Sequence, residues 1–362
     1  MRKLLAIIFL HLAISTPQVF AQFGEWSVPY PTPVKTNPDT VTVHIIGDVM
    51  MHSTQFGRDY STFFRELAPQ MREADFSIAN MEFTLAGQPY SGYPSFSAPE
   101  DIVWTLASQC GTDVFLTANN HISDRGLQGM SRTLDIYDSV RDSLDTRFTG
   151  TARSSSELLE TYPLILRRRG VSIALVNFTY GTNNGLVSGP PSVNVADTGE
   201  VAGAMRRASE ADFIIALPHW GEEYHLRPSS TQRQWAQWLV EQGADIIVGG
   251  HPHVVQDTTH IKGVPVIYSL GNAVSNMSIT NSRLALAVTL TFVSDRTTGV
   301  KKMLEPELEF LWCTLPGMLL ESSYATIPVK KWAGRRGDWL TPSDYDNMVA
   351  TLERVKAATG IR

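Results

Sequence analysis

The stretch Val41-Thr42-Val43-His44-Ile45-Ile46-Gly47-Asp48 decides the fold. A short apolar run rich in β-branched residues is followed directly by a glycine and an aspartate. Similar apolar runs recur at residues 76–79, 114–118, 171–178, 213–217, 246–248 and 266–270. Such runs are typical of strands buried on both faces, as parallel sheets require. Because helix-like stretches separate them, they predict an α/β fold.

Three stretches outside these runs have clear local signals. Ser230 or Thr231 can cap the start of a helix, and Gly243 can end it. Residues 284–292 predict a further strand, and residues 343–357 predict a terminal amphipathic helix. Regular structure therefore continues close to the end of the chain.

The first residues have the pattern of a secretory signal. Arg2 and Lys3 precede an apolar run at 4–14, and Val19 and Ala21 follow at the positions that a signal peptidase reads. The run is too short to span a bilayer, so we expect a signal peptide over residues 1–21, with an uncleaved membrane anchor as the alternative. The mature protein is then expected to be soluble and exported, either to the periplasm or to the cell surface.

The remaining chain divides into three predicted parts. Residues 22–40 contain four prolines and predict an extended lead-in. We expect one domain over residues 41–295. A C-terminal extension, residues 296–362, is expected to pack on it.

Composition limits the classes of function. The chain has 362 residues, is 43% hydrophobic and carries a formal charge of −6. It is too apolar for a disordered chain, and its acidic balance argues against a nucleic-acid partner. The short basic runs at 167–169 and 335–336 are expected to be solvated loop charges. Cys110 and Cys313 are predicted to be buried free thiols, although an oxidising compartment would allow them to pair.

Nearly every predicted buried strand ends in a short polar cluster. The clusters are Gly47-Asp48, Asn80-Met81-Glu82, Asn119-Asn120-His121, His219 and His251-Pro252-His253. Because the carboxyl ends of strands in α/β folds converge on one edge of the sheet, these side chains should meet. Carboxylates, amide oxygens and neutral imidazoles suit Zn²⁺, Mn²⁺ or Fe²⁺, and the lack of thiolates excludes a cysteine-zinc site. The sequence therefore predicts a metal centre there.

Six sequence blocks resemble those of the CapA family of poly-γ-glutamate capsule synthesis proteins. The blocks are Gly47-Asp48-Val49-Met50, Ala79-Asn80-Met81-Glu82, Thr117-Ala118-Asn119-Asn120-His121, His219-Trp220-Gly221, Gly250-His251-Pro252-His253 and Tyr268-Ser269-Leu270-Gly271-Asn272. They occur in the family's order. The family belongs to the calcineurin-like metallophosphoesterases, so the resemblance implies a four-layer β-sandwich flanked by helices.

The resemblance also implies a set of metal ligands: Asp48, Glu82, Asn120, His219, His251 and His253. Of these, Glu82 resembles a carboxylate shared by two metals, and Asp48 and His253 resemble ligands of the first metal. The other three resemble ligands of the second metal. His121 resembles the histidine that protonates the leaving group or contacts the oxyanion of the substrate.

Further polar residues are expected beside the ligands or the substrate: Asn80, Asn119, Glu222, Glu223 and Asn272. Imidazole ligands need an acceptor for their second N–H, and these side chains can supply one.

Met50 departs from the superfamily pattern. Most metallophosphoesterases have a histidine two residues after the first aspartate, and methionine is a poor ligand for these metals. The site is therefore expected to hold either one or two ions. His52 can replace the missing ligand, but a role in a loop or helix cap is the alternative.

The expected function is that of an exported, metal-dependent, phosphoesterase-like protein in the biosynthesis or export of capsule or another exopolymer. Its expected partners are an anionic polymer or a phosphoester substrate, and capsule synthesis or export proteins. One alternative is a non-catalytic metal-binding accessory protein of a polymer export assembly. Another is an enzyme that cleaves an amide or glycosidic bond.

Overall fold

The computed structural model describes residues 40–185, 189–295 and 298–361, so the predicted signal peptide and the lead-in up to residue 39 lie outside it. In these ranges the strands are β1 (Thr40–Val49), β2 (Phe76–Met81), β3 (Val114–Leu116), β4 (Arg147–Thr149), β5 (Thr151–Ala152), β6 (Leu164–Arg168), β7 (Val171–Thr179), β8 (Ser192–Val193), β9 (Phe213–His219), β10 (Ile246–Val248), β11 (Thr258–Ile261), β12 (Val264–Ile267), β13 (Asn272–Val274), β14 (Leu284–Ser294), β15 (Lys301–Met303), β16 (Glu307–Thr314) and β17 (Ala325–Pro328). The helices are α1 (Ala68–Glu73), α2 (Asp101–Thr105), α3 (Gly126–Leu144), α4 (Ser155–Thr161), α5 (Thr198–Ala208), α6 (Ser230–Glu241), α7 (Val329–Trp332) and α8 (Pro342–Thr359). None of these helices is long and apolar enough to cross a bilayer.

Two sheets organise most of the strands. The larger sheet has the order β17-β16-β14-β1-β2-β3-β4, with β13 beside β1 and β15 beside β14. The smaller sheet has the order β11-β12-β10-β9-β7-β6. The strands β1 to β4 run parallel in the larger sheet, and β7, β9, β10 and β12 run parallel in the smaller one. This arrangement agrees with the buried apolar runs of the sequence.

The two sheets pack face to face, and helices cover their outer faces. Ile45 of β1 and Ile215 of β9 lie in the hydrophobic core between the sheets. Phe115 of β3 packs with Leu134 of α3 in a second cluster on the outer side of the larger sheet. A third cluster, which includes Leu239 of α6, covers the smaller sheet. The predicted four-layer β-sandwich flanked by helices is confirmed.

Aspartates placed directly before parallel strands satisfy the first N–H groups of their neighbours. The four are Asp75, Asp113, Asp212 and Asp245, which precede β2, β3, β9 and β10. Asp113 Oδ2 accepts a hydrogen bond from Ser77 N at 2.7 Å. Asp245 Oδ2 accepts one from Ile214 N, also at 2.7 Å. Because each carboxylate pairs an otherwise open backbone donor, it helps to hold the register of two strands at the end remote from the polar clusters.

The start of α6 differs from the prediction. Ser229, and not Ser230 or Thr231, is the cap: its Oγ accepts a hydrogen bond from Gln232 N at 3.2 Å. Gln232 Oε1 in turn accepts one from Ser229 N at 2.9 Å. This reciprocal pair satisfies two backbone donors together, so it decides the position of the cap.

Residues after 295 extend the larger sheet. β16 pairs antiparallel with β14, and β17 pairs with β16. Helix α8 attaches through Asp344, whose carboxylate accepts hydrogen bonds from Arg283 at 2.6 and 2.7 Å. The boundary near residue 295 between a domain and an extension stays a prediction.

Candidate metal centre

The polar strand ends of both sheets meet at one edge of the sandwich. In the larger sheet, Asp48 pairs in register with Asn80 of β2 and with Asn272 of β13. In the smaller sheet, His219 at the end of β9 forms a bridge to Gly250, directly before His251. These registers bring the carboxylates of one sheet and the imidazoles of the other to the same place.

Glu82 lies at the centre of this cluster. Its side chain is fully buried, and neither carboxylate oxygen accepts a hydrogen bond from an N–H or hydroxyl group of the described residues. His219 Nε2 and His253 Nε2 each lie 3.6 Å from Glu82 Oε1. Burial raises the pKa of Glu82 to about 8. A buried carboxylate without donors is costly unless a cation balances its charge.

Asp48 is held at both oxygens. Asn80 Nδ2 donates to Oδ1 at 2.7 Å, and His251 N donates to Oδ2 at 3.0 Å. Burial, and then the negative charge of Glu82, raises the pKa of Asp48 to about 7. Two carboxylates buried side by side are therefore costly to ionise together unless a cation lies between them.

His253 has a defined ring orientation. Its Nδ1 donates to Asn272 Oδ1 at 2.9 Å, because Asn272 Nδ2 is already committed as a donor to Ser282 O at 3.2 Å. The other ring nitrogen, Nε2, is left unprotonated and faces Glu82. This is the arrangement of a metal-binding imidazole whose second N–H has an acceptor.

The other two imidazoles of the cluster are also neutral. Burial lowers the pKa of His219 to about 4 and that of His253 to about 3, and it lowers that of His251 well below its usual value. His251 Nδ1 is buried without a hydrogen-bond partner. His251 and His253 both have positive φ, 95° and 58°, which is uncommon for residues other than glycine. Such backbone strain is typical of functional sites, and neutral imidazole is the form that binds metals.

The donor set fits a divalent metal ion. Glu82, His251 and His253 offer ligand atoms within 4.8 Å of one another, and Asp48, Glu82 and His219 form a second such group. Glu82 belongs to both groups, as a shared carboxylate would. The groups divide the histidines differently from the division that the family resemblance implies, because His251 lies with His253. Unpartnered oxygens of Glu82 and the unpartnered nitrogen of His251 are the atoms that a cation would satisfy.

Asn120 and His121 follow β3 and lie on the larger-sheet side of the cluster. Asn120 Oδ1 lies 2.8 Å from His219 Nε2, so its amide oxygen faces the same space as that imidazole. His121 Nδ1 donates to Asp124 Oδ2 at 2.7 Å. Burial opposes the charged form of His121, but Asp124 and the nearby Glu82 outweigh it and raise its pKa. His121 belongs to neither ligand group, so a proton on its ring stays available.

The remaining predicted residues differ in position. Asn119 Nδ2 donates to Met81 O at 2.8 Å, and its Oδ1 accepts from His121 N at 3.1 Å, so it braces the loop that carries His121. Glu223 Oε1 lies 4.0 Å from His253 Nε2 at the surface of the cluster. Glu222 is exposed, and its recorded ionic contact is with His225 at 3.9 Å.

Met50 and His52 both lie outside the cluster. Met50 is buried in the core against the helices, and its N–H donates to Val274 O at 3.0 Å. His52 precedes a short 3₁₀ turn, and its Nδ1 accepts a hydrogen bond from Asn276 N at 3.2 Å. His52 therefore has the position of the loop or cap residue that was the alternative to a ligand.

Several residues that contact this site are not predicted by the sequence patterns. Asp124 holds His121, and Asn183 Nδ2 lies 3.3 Å from His121 Nδ1. The Tyr180 ring lies 4.7 Å from that of His251. Asp124 has a weak signal, because a carboxylate three residues after a histidine can reach it. Tyr180 and Asn183 follow the buried strand β7, whose end lacks the acidic or histidine residues that identified the other strand ends.

Comparison with solved structures finds similar folds at low identity. The chain is similar to a phosphatase from Mycoplasma pneumoniae, with a TM-score of 0.46 and 15% identity over 75% of this chain and 94% of that one. It is also similar to the calcineurin-like phosphoesterase YfkN from Bacillus subtilis, with a TM-score of 0.45 and 15% identity over 88% of this chain and 99% of that one.

Sequence comparison gives nearer relatives. The PGA biosynthesis protein CapA of Bacillus subtilis (strain 168) is 30% identical over 297 residues, which are 75% of this chain and 74% of that protein. The capsule biosynthesis protein CapA of Bacillus anthracis is 28% identical over 266 residues, which are 68% of this chain and 62% of that protein. Residues 42–277 match the model of the family described as "Bacterial capsule synthesis protein PGA_cap". The chain therefore belongs to the PGA_cap family of bacterial capsule synthesis proteins.

Proposed function

We propose that this protein is a metal-dependent phosphoester hydrolase that acts in the biosynthesis or export of a capsule polymer. The observation that carries the proposal is the buried Glu82 carboxylate, which lacks hydrogen-bond donors and lies between two imidazoles at 3.6 Å. A histidine outside the ligand groups, His121, adds a proton donor beside it. The family relatives, named for capsule and PGA biosynthesis, support the biological setting.

Each residue has a separate task in this proposal. The side chains that would hold the metal are Asp48, Glu82, Asn120, His219, His251 and His253. A divalent cation bound there supplies positive charge to phosphoryl oxygens and acidifies a water molecule. Asn272 keeps His253 Nε2 unprotonated, and Asn80 holds Asp48 in place.

His121 donates a proton to the leaving alcohol. Asp124 accepts from its Nδ1, which orients the ring and favours the protonated form of the imidazole. A positioned proton donor of this kind contributes about 10²- to 10⁴-fold to a rate. The ring also packs edge-on against Phe96, with centroids 4.6 Å apart, so its orientation does not depend on substrate.

The first test is the metal content of the purified protein together with hydrolysis of a phosphodiester with and without added Mn²⁺. We expect bound metal and Mn²⁺-dependent turnover, both lost in His251→Ala. The matched control is His260→Ala, which removes an exposed histidine of β11 and should change neither. Full turnover after complete removal of metal would contradict the proposal.

A non-catalytic accessory protein is the second candidate, and Met50 favours it. This side chain is packed in the core. Most members of the superfamily are expected to have a metal-binding histidine at this sequence position. One firmly bound metal with no turnover on any phosphoester would support this candidate. Export, and contact with an anionic polymer or with other capsule proteins, are further parts of the proposal that rest on the amino-terminal sequence and on the relatives.

A further inference from the structure

Exposed aromatic side chains are few on the described surface. Among residues 40–185, 189–295 and 298–361, the exposed residues of the Phe, Tyr and Trp types are Tyr93, Tyr180 and Tyr224, with 73%, 48% and 40% of the residue surface accessible. We call these three the tyrosine rim. Single exposed apolar residues need no explanation, but three of one type beside the same site do.

Two members of the tyrosine rim stand directly beside the histidines of the metal centre. Tyr180 N donates to His219 O at 2.9 Å, and its ring lies 4.7 Å from that of His251. The Tyr224 ring lies 6.0 Å from that of His253. Both rings therefore border the opening of the centre.

Tyr224 is held in an uncommon backbone conformation. Its φ is 65°, and its N–H donates to Pro252 O at 2.8 Å, between the two ligand histidines. A bulky residue rarely keeps a positive φ unless its surroundings fix it there. Strain of this kind concentrates at functional sites, so the position of this ring is part of the site.

Tyr93 approaches the opening from the side of His121. Its loop is anchored by Phe96, whose N–H donates to Asp124 Oδ2 at 2.8 Å, and by Ser95, whose Oγ donates to Asp124 O at 3.1 Å. The same Asp124 carboxylate holds His121. The loop that carries Tyr93 is therefore tied to the same aspartate as His121.

Glu223 places a carboxylate beside this opening, 4.0 Å from His253 Nε2. Glu222 and Glu223 are both exposed, with 65% and 41% of the side chain accessible. In the part of the chain that the structure describes, neither forms an ion pair with a lysine or arginine. The charge of Glu223 contributes, after burial, to raised pKa values of Tyr180 and Tyr224. A carboxylate beside aromatic ring faces attracts a cationic group.

We propose that the tyrosine rim and Glu223 form a subsite for an ammonium group carried on the substrate next to the phosphoester. The substrate class is thus a phosphoester of an amino alcohol or an amino sugar, with its phosphate at the metal centre and its cation over the tyrosines. This inference rests on the proposed function for the position of the phosphate. Aromatic faces that surround a cation stabilise it by about 0.5–2 kcal/mol, more when water is excluded.

The test uses two ligands of the same shape and different charge. Phosphocholine and 3,3-dimethylbutyl phosphate differ in that a carbon atom replaces the quaternary nitrogen. Calorimetric titration of the Mn²⁺-loaded protein should show phosphocholine binding about tenfold more tightly, which corresponds to 1.4 kcal/mol. Tyr224→Leu should abolish this preference, whereas Tyr224→Phe, which keeps the ring, should retain it.

A control variant and the possible outcomes distinguish failure of the ammonium subsite from failure of the proposed hydrolase function. Leu159→Ala, which removes an exposed apolar side chain of α4, should leave the preference unchanged. Equal affinity for the two ligands, or a preference that Tyr224→Leu leaves intact, would overturn the subsite. A tyrosine-dependent preference in a protein that hydrolyses neither p-nitrophenyl phosphocholine nor its neutral analogue would support the subsite and contradict the hydrolase.

Discussion

Asp124 Oδ2 lies 2.7 Å from His121 Nδ1, and both side chains are almost completely buried. Asn183 Nδ2 lies 3.4 Å from the second ring nitrogen, and Phe96 packs against the ring edge-on. His121 is thus oriented by residues that are not metal ligands. The proposed metal centre and the proposed proton donor can therefore be disturbed separately.

Asp124→Asn should lower turnover without removing the metal. The amide keeps the size of the side chain, but it carries no charge to stabilise the protonated imidazole. We expect kcat for a phosphodiester to fall about 10- to 100-fold, with metal content unchanged. Asp142→Asn, an exposed aspartate of α3, is the matched control. An unchanged kcat in Asp124→Asn would show that Asp124 does not act through His121.

Glu82→Gln should weaken metal binding and, without metal, increase the free energy of unfolding. Mn²⁺ should raise the melting temperature of the parent protein and not that of the variant, because a central ligand is lost. Without metal at neutral pH, the variant should be the more stable protein by about 1–3 kcal/mol, because burial raises the pKa of Glu82 to about 8 and folding therefore requires this group to bind a proton that the unfolded chain does not. Thermal unfolding with and without Mn²⁺ measures both. Glu321→Gln, at an exposed position, should behave like the parent.

The meeting of the carboxylates and imidazoles could be predicted because it follows from topology. Asp48 and His219 end strands of different sheets, and parallel strands direct their carboxyl ends to one edge. The sequence shows where each apolar run stops. The polar residue that follows each run can therefore be placed at that edge without further information. The predicted run at 246–248 coincides with the strand, because Asp245 before it and glycines after it limit its length.

Contacts between distant segments could not be predicted in the same way. Arg283 and Asp344 are separated by 61 residues, and nothing in the sequence distinguishes this arginine from the others. The exposure of the tyrosine rim could not be predicted either, because a tyrosine in a loop has the same local pattern whether it is buried or exposed. Which distant residues contact each other depends on how the loops pack after the sheets have formed.

The buried pair of Arg283 and Asp344 should matter greatly for stability. Arg283 also donates to Cys313 O at 2.9 Å and stacks on Trp312, with 4.4 Å between the guanidinium carbon and the ring centroid. Arg283→Met leaves a buried carboxylate without its cation, so the free energy of unfolding should fall by about 3–5 kcal/mol. Urea unfolding measures this change.

Removal of both charges of the Arg283–Asp344 pair tests whether the unpaired carboxylate causes the loss of stability. Arg283→Met combined with Asp344→Leu should be more stable than Arg283→Met alone, because no unpaired charge remains in the core. Arg336→Ala, which breaks the exposed pair with Asp346, should have little effect. If the double variant were less stable than Arg283→Met, packing around Asp344 and not its charge would be the source of the loss.

His44 should make stability depend on pH in the acidic range. It is buried on β1, its Nδ1 lies 3.0 Å from Thr289 Oγ1, and burial lowers its pKa to about 4. Below the usual pKa of about 6.5 the unfolded chain binds a proton that folded His44 does not, so stability falls as the pH decreases from about 6.5 to 4. His44→Gln should remove about 3 kcal/mol of this loss, measured as the free energy of unfolding against pH. His260→Gln, at an exposed histidine, should leave the profile unchanged, and identical profiles for His44→Gln and the parent would contradict the assignment.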